Sequence, residues 1–322
     1  MTVQQANPKD TLQSKRLITR AAFFGLFLLA PVLNIFRYDL TEARFVVLGF
    51  PLSFNLNLDW VVQSSPVDVA SQVLLWFILP ILVLVPLVLW VAWNWGRIYC
   101  GWLCPHFSVV ETINSLMTRI TGRPTLWEAL RKGRRGKVIH WAGLTSVCSL
   151  IGFSWALAML SYLLPPIPLY TDLVTGNLAF YPTVFLAIAT TVFTLDFLFA
   201  RHLFCKYGCA FGVVQSIAWM THGRGHLVTF DTTRAAACRD CTKACDEACP
   251  MRLPTRSHKR AKFSCTQCLQ CVSACREVQK NNPEGSLLHW QPGEPSRQTV
   301  LIPIHLLDTN HQPASKPARQ RA

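Results

Sequence analysis

From Ala70 to Trp95 the chain carries no charged residue, and its only helix breakers are Pro80 and Pro86. A helix needs about 20 apolar residues to cross a bilayer, so this run alone commits the chain to a membrane. Prolines are tolerated there because neighbouring helices can satisfy the freed carbonyls. Three more runs meet the length requirement: Leu17–Phe36 with Arg20 near its start, Val138–Leu164 with His140 at its mouth, and Leu178–Ala200 with a single acid, Asp196. Composition agrees, at 51% hydrophobic and 15% charged residues, with 11 Trp and 19 Phe. The expected fold is therefore membrane α-helical, with four transmembrane helices.

A net charge of +14 raises the question of a nucleic-acid partner. The placement of the charges excludes one, because they flank apolar runs and form no recognition stripe. Membrane lipid is the partner they imply, and "RKGRRGK" reads as a topology signal touching anionic headgroups. Lys9, Lys15, Arg16 and Arg20 precede or open the first run, and Arg97, Arg119, Arg123 and Arg131 to Lys137 follow the second. Pro165–Asn177 has no lysine or arginine, and Arg37 and Arg44 are outnumbered by Asp39, Glu42, Asp59 and Asp68. Basic loops stay in the cytoplasm, so a multi-pass protein of the bacterial inner membrane with both termini inside is expected. The first run follows a long polar leader and no A-x-A site succeeds it, so it reads as an uncleaved anchor.

The expected organisation is a leader at 1–16, a transmembrane domain at 17–223, a ferredoxin-type domain at 224–281 and a partly disordered, proline-rich basic tail at 282–322. The third unit rests on "CRDCTKACDEACP" and "CTQCLQCVSAC". Cubane clusters take four thiolates, three from a tight loop and the fourth from the other run. On that rule Cys238, Cys241, Cys245 and Cys275 hold one [4Fe–4S] cluster, and Cys265, Cys268, Cys271 and Cys249 hold a second. Two departures stand out. Three residues separate Cys241 from Cys245, so that loop must bulge, and Arg276 stands where proline is common. Zinc sites pair their cysteines differently, and disulfides do not suit a reducing compartment.

"RIYCGWLCP" and "HLFCKYGCA" each end an apolar run with a C-x3-C pair, Cys100 with Cys104 and Cys205 with Cys209. Each pair is followed by an amphipathic stretch, "FSVVETINSLM" or "FGVVQSIAWM". The two copies read as an internal repeat of span, C-x3-C turn and short interfacial helix. Thiols exposed beside a reducing module are reactive, so all four are candidate redox or metal-binding groups. Asp196 is a candidate proton acceptor, or else a helix-end acid paired with Arg201. His140 is a second proton group or an interfacial histidine, Cys148 a small buried hydrophobe, and His106 a candidate copper ligand.

"YCGWLCP", "FCKYGCAFG" and the two cluster motifs, in that order, resemble the membrane polyferredoxins of the NapH, NosR and CcoG (FixG-type) group. The resemblance runs from about Phe36 to Lys280. "FRYDLTEARFVVLGFPL" is similar to the CcoG branch, and Asp196 ahead of the second pair is similar to the NapH and NosR branches. Ala210 replaces the second proline of the family motif. Neither the Ig-like extension of CcoG nor the flavin-binding extension of NosR is expected. The resemblance implies electron transfer between the quinone pool, or another membrane redox protein, and a soluble or periplasmic redox partner. It also implies a rival, a cupric reductase serving oxidase assembly. An enzymatic role as a quinol dehydrogenase component stays open beside it. No G-x-G-x-x-G follows a strand, so the chain has no nucleotide fingerprint with which to take hydride.

Overall fold

In a computed structural model of the chain the described residues are 11–42, 44–52, 65–121, 138–238 and 241–293. Most of the leader, Asp59, the basic run Arg131–Lys137, the His140 side chain and the tail after Gly293 lie outside them. The uncharged run forms helix α2, Pro66–Trp95. Ser65 caps it by accepting from the Asp68 amide, with Pro66 in the first turn. Pro80 would press on the Trp76 carbonyl in a regular helix. The turn Leu74–Ile78 widens to π geometry there, closed by the Leu79 amide on the Leu74 carbonyl. Apolar side chains point outward all round α2, and Ala92 is the one buried residue in its last seventeen. A lipid solvent demands that pattern.

Three helices among the described residues are long and apolar enough to cross a membrane: Pro66–Trp95, Trp141–Ser161 and Phe180–Ala200. The run expected to supply a fourth differs. Helix α1, Thr11–Val32, buries Arg16 and Arg20 and stops short of Phe36, which opens strand β1, Phe36–Asp39. β1 pairs with β2, Arg44–Val47, and β2 with β3, Phe50–Leu52, both antiparallel. This meander went unread in the sequence. Its β2–β3 turn is Leu48–Gly49, both at positive φ, the geometry a two-residue hairpin prefers. It is tied to the end of α5, Val138–Ser161, by amides of Tyr38 and Leu40 on the carbonyls of Tyr162 and Leu163.

The internal repeat is visible in the backbone. After α2, Gly96 turns the chain at φ 62°, ψ −137° into α3, Ile98–Trp102, and then α4, Pro105–Thr121. A short helix α6, Pro166–Thr175, leads to α7, Phe180–Ala200, whose last turn from Asp196 is π-helical. Arg201 then turns the chain at φ 42°, ψ −111° into a π turn, Phe204–Gly208, and α8, Ala210–Thr221. Gly96 and Arg201 hold equivalent places before the two cysteine pairs. Glycine takes that conformation freely, whereas arginine takes it at a cost in strain. α4 presses Val110, Ile113 and Met117 into a core with Leu144, Cys148, Trp155 and Phe197, so Cys148 packs as a hydrophobe. α8 lies along α2.

The cysteine-rich part is an α+β unit. β4, His226–Phe230, pairs antiparallel with β5, Leu288–Pro292, around α9, Ala244–Glu247, and α10, Gln270–Val278. Val228, Leu269, Val272, Leu287 and Leu288 form its core. The β4–β5 pairing carries this unit to 292, beyond the boundary at 281, because β5 has no cysteine to mark it.

Candidate functional site

The two cysteine runs fold so that their thiols line two cavities. Cys238, Cys241, Cys245 and Cys275 line one, and Cys249, Cys265, Cys268 and Cys271 line the other. In each run a residue in the left-handed region precedes the helix carrying the third cysteine: Lys243 at φ 61° before α9 and Leu269 at φ 58° before α10. Matching those two residues leaves Thr242 as the extra one, so the bulge is absorbed between Cys241 and Lys243.

No three His, Cys, Asp or Glu side chains among the described residues converge on one metal ion. The thiols are spread around cavity walls, whereas a single zinc would gather them at about 2.3 Å from one point. Walls of thiols and apolar groups suit an anionic multi-iron core. Positive charge is at hand, from Lys243 and Arg256 on the first cavity and from buried Lys262 on the second. Burial pushes the Cys265 thiol up to about 12 and Cys249 up to about 11. Metal ligation must therefore displace protons there.

The C-x3-C pairs lie against this unit. Gly101 abuts the Thr266 carbonyl, and Trp102 Nε1 donates to the Gln267 carbonyl at 3.0 Å. Cys104 and Cys205 pack with Cys249 and Cys265 around Phe107, Met251 and Leu253. Cys100 faces Gln215 Oε1 at 3.8 Å, and Cys209 Sγ accepts from the Gly212 amide. The four thiols are half-buried, not exposed as the sequence suggested. Burial pushes Cys100 up to about 12 and raises Cys104 and Cys205 as well. The thiolate is the form that attacks or ligates, so metal binding at these thiols would displace protons as well.

A polar clasp fixes these loops to α1. Arg16 donates to both Glu111 oxygens, at 3.1 and 2.6 Å, and to the Gly101 carbonyl at 2.8 Å. Arg20 joins Glu111 at 2.8 Å, and Gln270, next to Cys271, donates to the same carboxylate. Gln13 reaches the Cys268 carbonyl and Ser273. Sequence reading assigned these arginines to topology and missed the clasp. Its one signal was Glu111, an acid in an amphipathic helix beside a cysteine pair.

Asp196 opens the π turn of α7 and lies 3.3 Å from His106 Nε2. His106 sits among Trp155, Phe197 and Phe204. The side chain of Arg201, the partner expected for Asp196, reaches Asn114 Oδ1 and Met117 Sδ. His106 thus has a carboxylate neighbour.

Fold and site together define a helical membrane protein with a ferredoxin-type cysteine unit. A family model described as a 4Fe-4S binding domain matches residues 75–124 and 181–225, each segment holding one C-x3-C pair. YccM of Escherichia coli, provisionally named an electron transport protein, is 28% identical over 182 residues, 56% of this chain and 48% of YccM. The ferredoxin-type protein NapH of Haemophilus influenzae is 23% identical over 273 residues, 81% of this chain and 86% of NapH. RdxA of Cereibacter sphaeroides is 25% identical over 205 residues, 57% of this chain and 41% of RdxA. The chain thus spans about half the length of YccM. No solved structure matches it. The chain is thus similar to the NapH-type membrane polyferredoxins and carries a match to the 4Fe-4S binding domain.

Proposed function

We propose that this chain is an iron–sulfur electron-transfer protein of the bacterial inner membrane, working between the quinone pool and a redox partner. Cys238, Cys241, Cys245 and Cys275 hold one [4Fe–4S] cluster, and Cys265, Cys268, Cys271 and Cys249 hold the second. Such a cluster, when bound, supplies a one-electron couple whose potential the surroundings set. Cys100, Cys104, Cys205 and Cys209 form a further metal centre at the membrane edge.

The observation that carries the reading is the contact of the first C-x3-C loop with the second cysteine run, Gly101 on Thr266 and Trp102 on Gln267. Phe107, Met251 and Leu253 form a buried apolar cluster against which thiols of both sets pack. Asp196 and His106 provide a proton site where α7 leaves the membrane.

A quinol analogue added without copper tests the proposal. It should bleach the cluster absorbance of the purified protein. Asp196→Asn should slow that step by roughly 100-fold, the low end of what a general base contributes. Copper(II) reduction without quinol, abolished in C100S/C104S, would assign the chain to copper reduction instead.

A further inference from the structure

Arg97 opens the first cysteine loop and is 1% exposed. Its Nη1 donates to the Cys205 carbonyl at 2.7 Å, and its Nε to Ser216 Oγ, so an arginine of one half of the repeat grips the other half. Nη2 is buried and makes no hydrogen bond, and no carboxylate pairs with this guanidinium among the described residues. Its cation–π partner, Phe263, is 5.9 Å away, a modest compensation. The space it occupies is built in, because a Cβ on Gly212 would stand 2.9 Å from Nη1.

A buried charge with no counter-charge is costly, and native interiors rarely keep one. Thiols lie nearby: Cys100, Cys209 and Cys205 of the membrane-edge pairs are within its electrostatic reach, as is Cys265 of the second cysteine run. We propose that Arg97 is the fixed counter-charge of an anionic metal–thiolate centre carried by Cys100, Cys104, Cys205 and Cys209. Thiolates that hold a metal centre leave it a net negative charge, which a buried guanidinium complements. The inference rests on the metal centre proposed for these thiols. In it Arg97 is a positioning residue that touches no metal.

Cadmium(II), a soft ion that thiolates retain, is the probe. Equilibrium dialysis of the detergent-solubilised full-length protein measures its uptake, with iron content checked first. Wild type should take up Cd(II) that C100S/C104S does not. R97Q should weaken this uptake by about 10- to 100-fold, as loss of an outer partner does at metal sites. R97K and S216A keep the charge while disturbing the contacts, and should stay close to wild type. R97Q binding like wild type, or R97K falling as far as R97Q, would overturn the inference. Should R97Q fail to assemble, R97K decides alone: retained affinity supports the charge role and a tenfold loss refutes it. Wild type taking up no more Cd(II) than C100S/C104S would remove both the centre and the inference. The two-cluster reading would then stand or fall on its own iron count.

Discussion

Gly101, between Cys100 and Cys104, packs so closely on the backbone carbonyl of Thr266, between Cys265 and Cys268, that a Cβ at this position would collide with the oxygen. At this point the first cysteine loop and the second cysteine run meet backbone to backbone. Gly101→Ala should push the loops apart and destabilise the protein by about 1–3 kcal/mol, the usual cost of overpacking. Its iron content should match wild type while quinol-driven bleaching slows, as stopped-flow absorbance can record. An unchanged rate would mean that this contact is not on the route.

Glu111 is the hub of the clasp, and removing it strands two buried arginines. Glu111→Ala should cost about 3–5 kcal/mol, read from denaturant unfolding in detergent. Burial alone would raise the Glu111 carboxyl, but Arg16 and Arg20 outweigh it and hold the group below its ordinary 4.5. A depressed carboxylate contributes stability above the unfolded value and loses it as pH falls through the folded one. Hydrogen-exchange protection at the start of α1 should therefore hold above about pH 4.5 and fall on acidification below it. Glu111→Gln should flatten that dependence.

The long uncharged helix and the two groups of four cysteines that line the cavities were legible in the sequence, because apolar length and close cysteine spacing are local patterns. Periodic hydropathy also located α4 and α8. The β1–β3 meander went unread because its strands run three to four residues and their signals are turn residues such as Leu48–Gly49. The Arg16–Glu111–Gln270 clasp joins residues far apart in the chain, so no local pattern encodes it. Charge counting read Arg16 and Arg20 as topology markers, and it cannot tell a solvated arginine from a buried, paired one. Asp196 was legible as an acid out of place, but its neighbour His106 was not, since their contact depends on how α4 meets α7.

If Asp196 and His106 act as one proton site, their substitutions will not be additive. Asp196→Asn should slow quinol-driven reduction, and adding His106→Gln to it should slow the step little further. Additive losses in the rate would separate the two residues.

On the positive-inside rule, basic residues around the cysteine pairs and in the leader predict that both termini are cytoplasmic. A C-terminal fusion to a cytoplasmically active reporter should be active, and one to a periplasmically active reporter silent. The reverse pattern would overturn the orientation.

The central claim is that eight cysteines hold two iron–sulfur clusters independently of the membrane-edge pairs. Iron and sulfide analysis of the anaerobically purified full-length C100S/C104S variant, with low-temperature EPR after reduction, tests it most directly. About eight irons per chain, with matching sulfide and signals from two reduced cubanes, is the predicted result. Zinc in place of iron, or loss of half the iron in this variant, would contradict it.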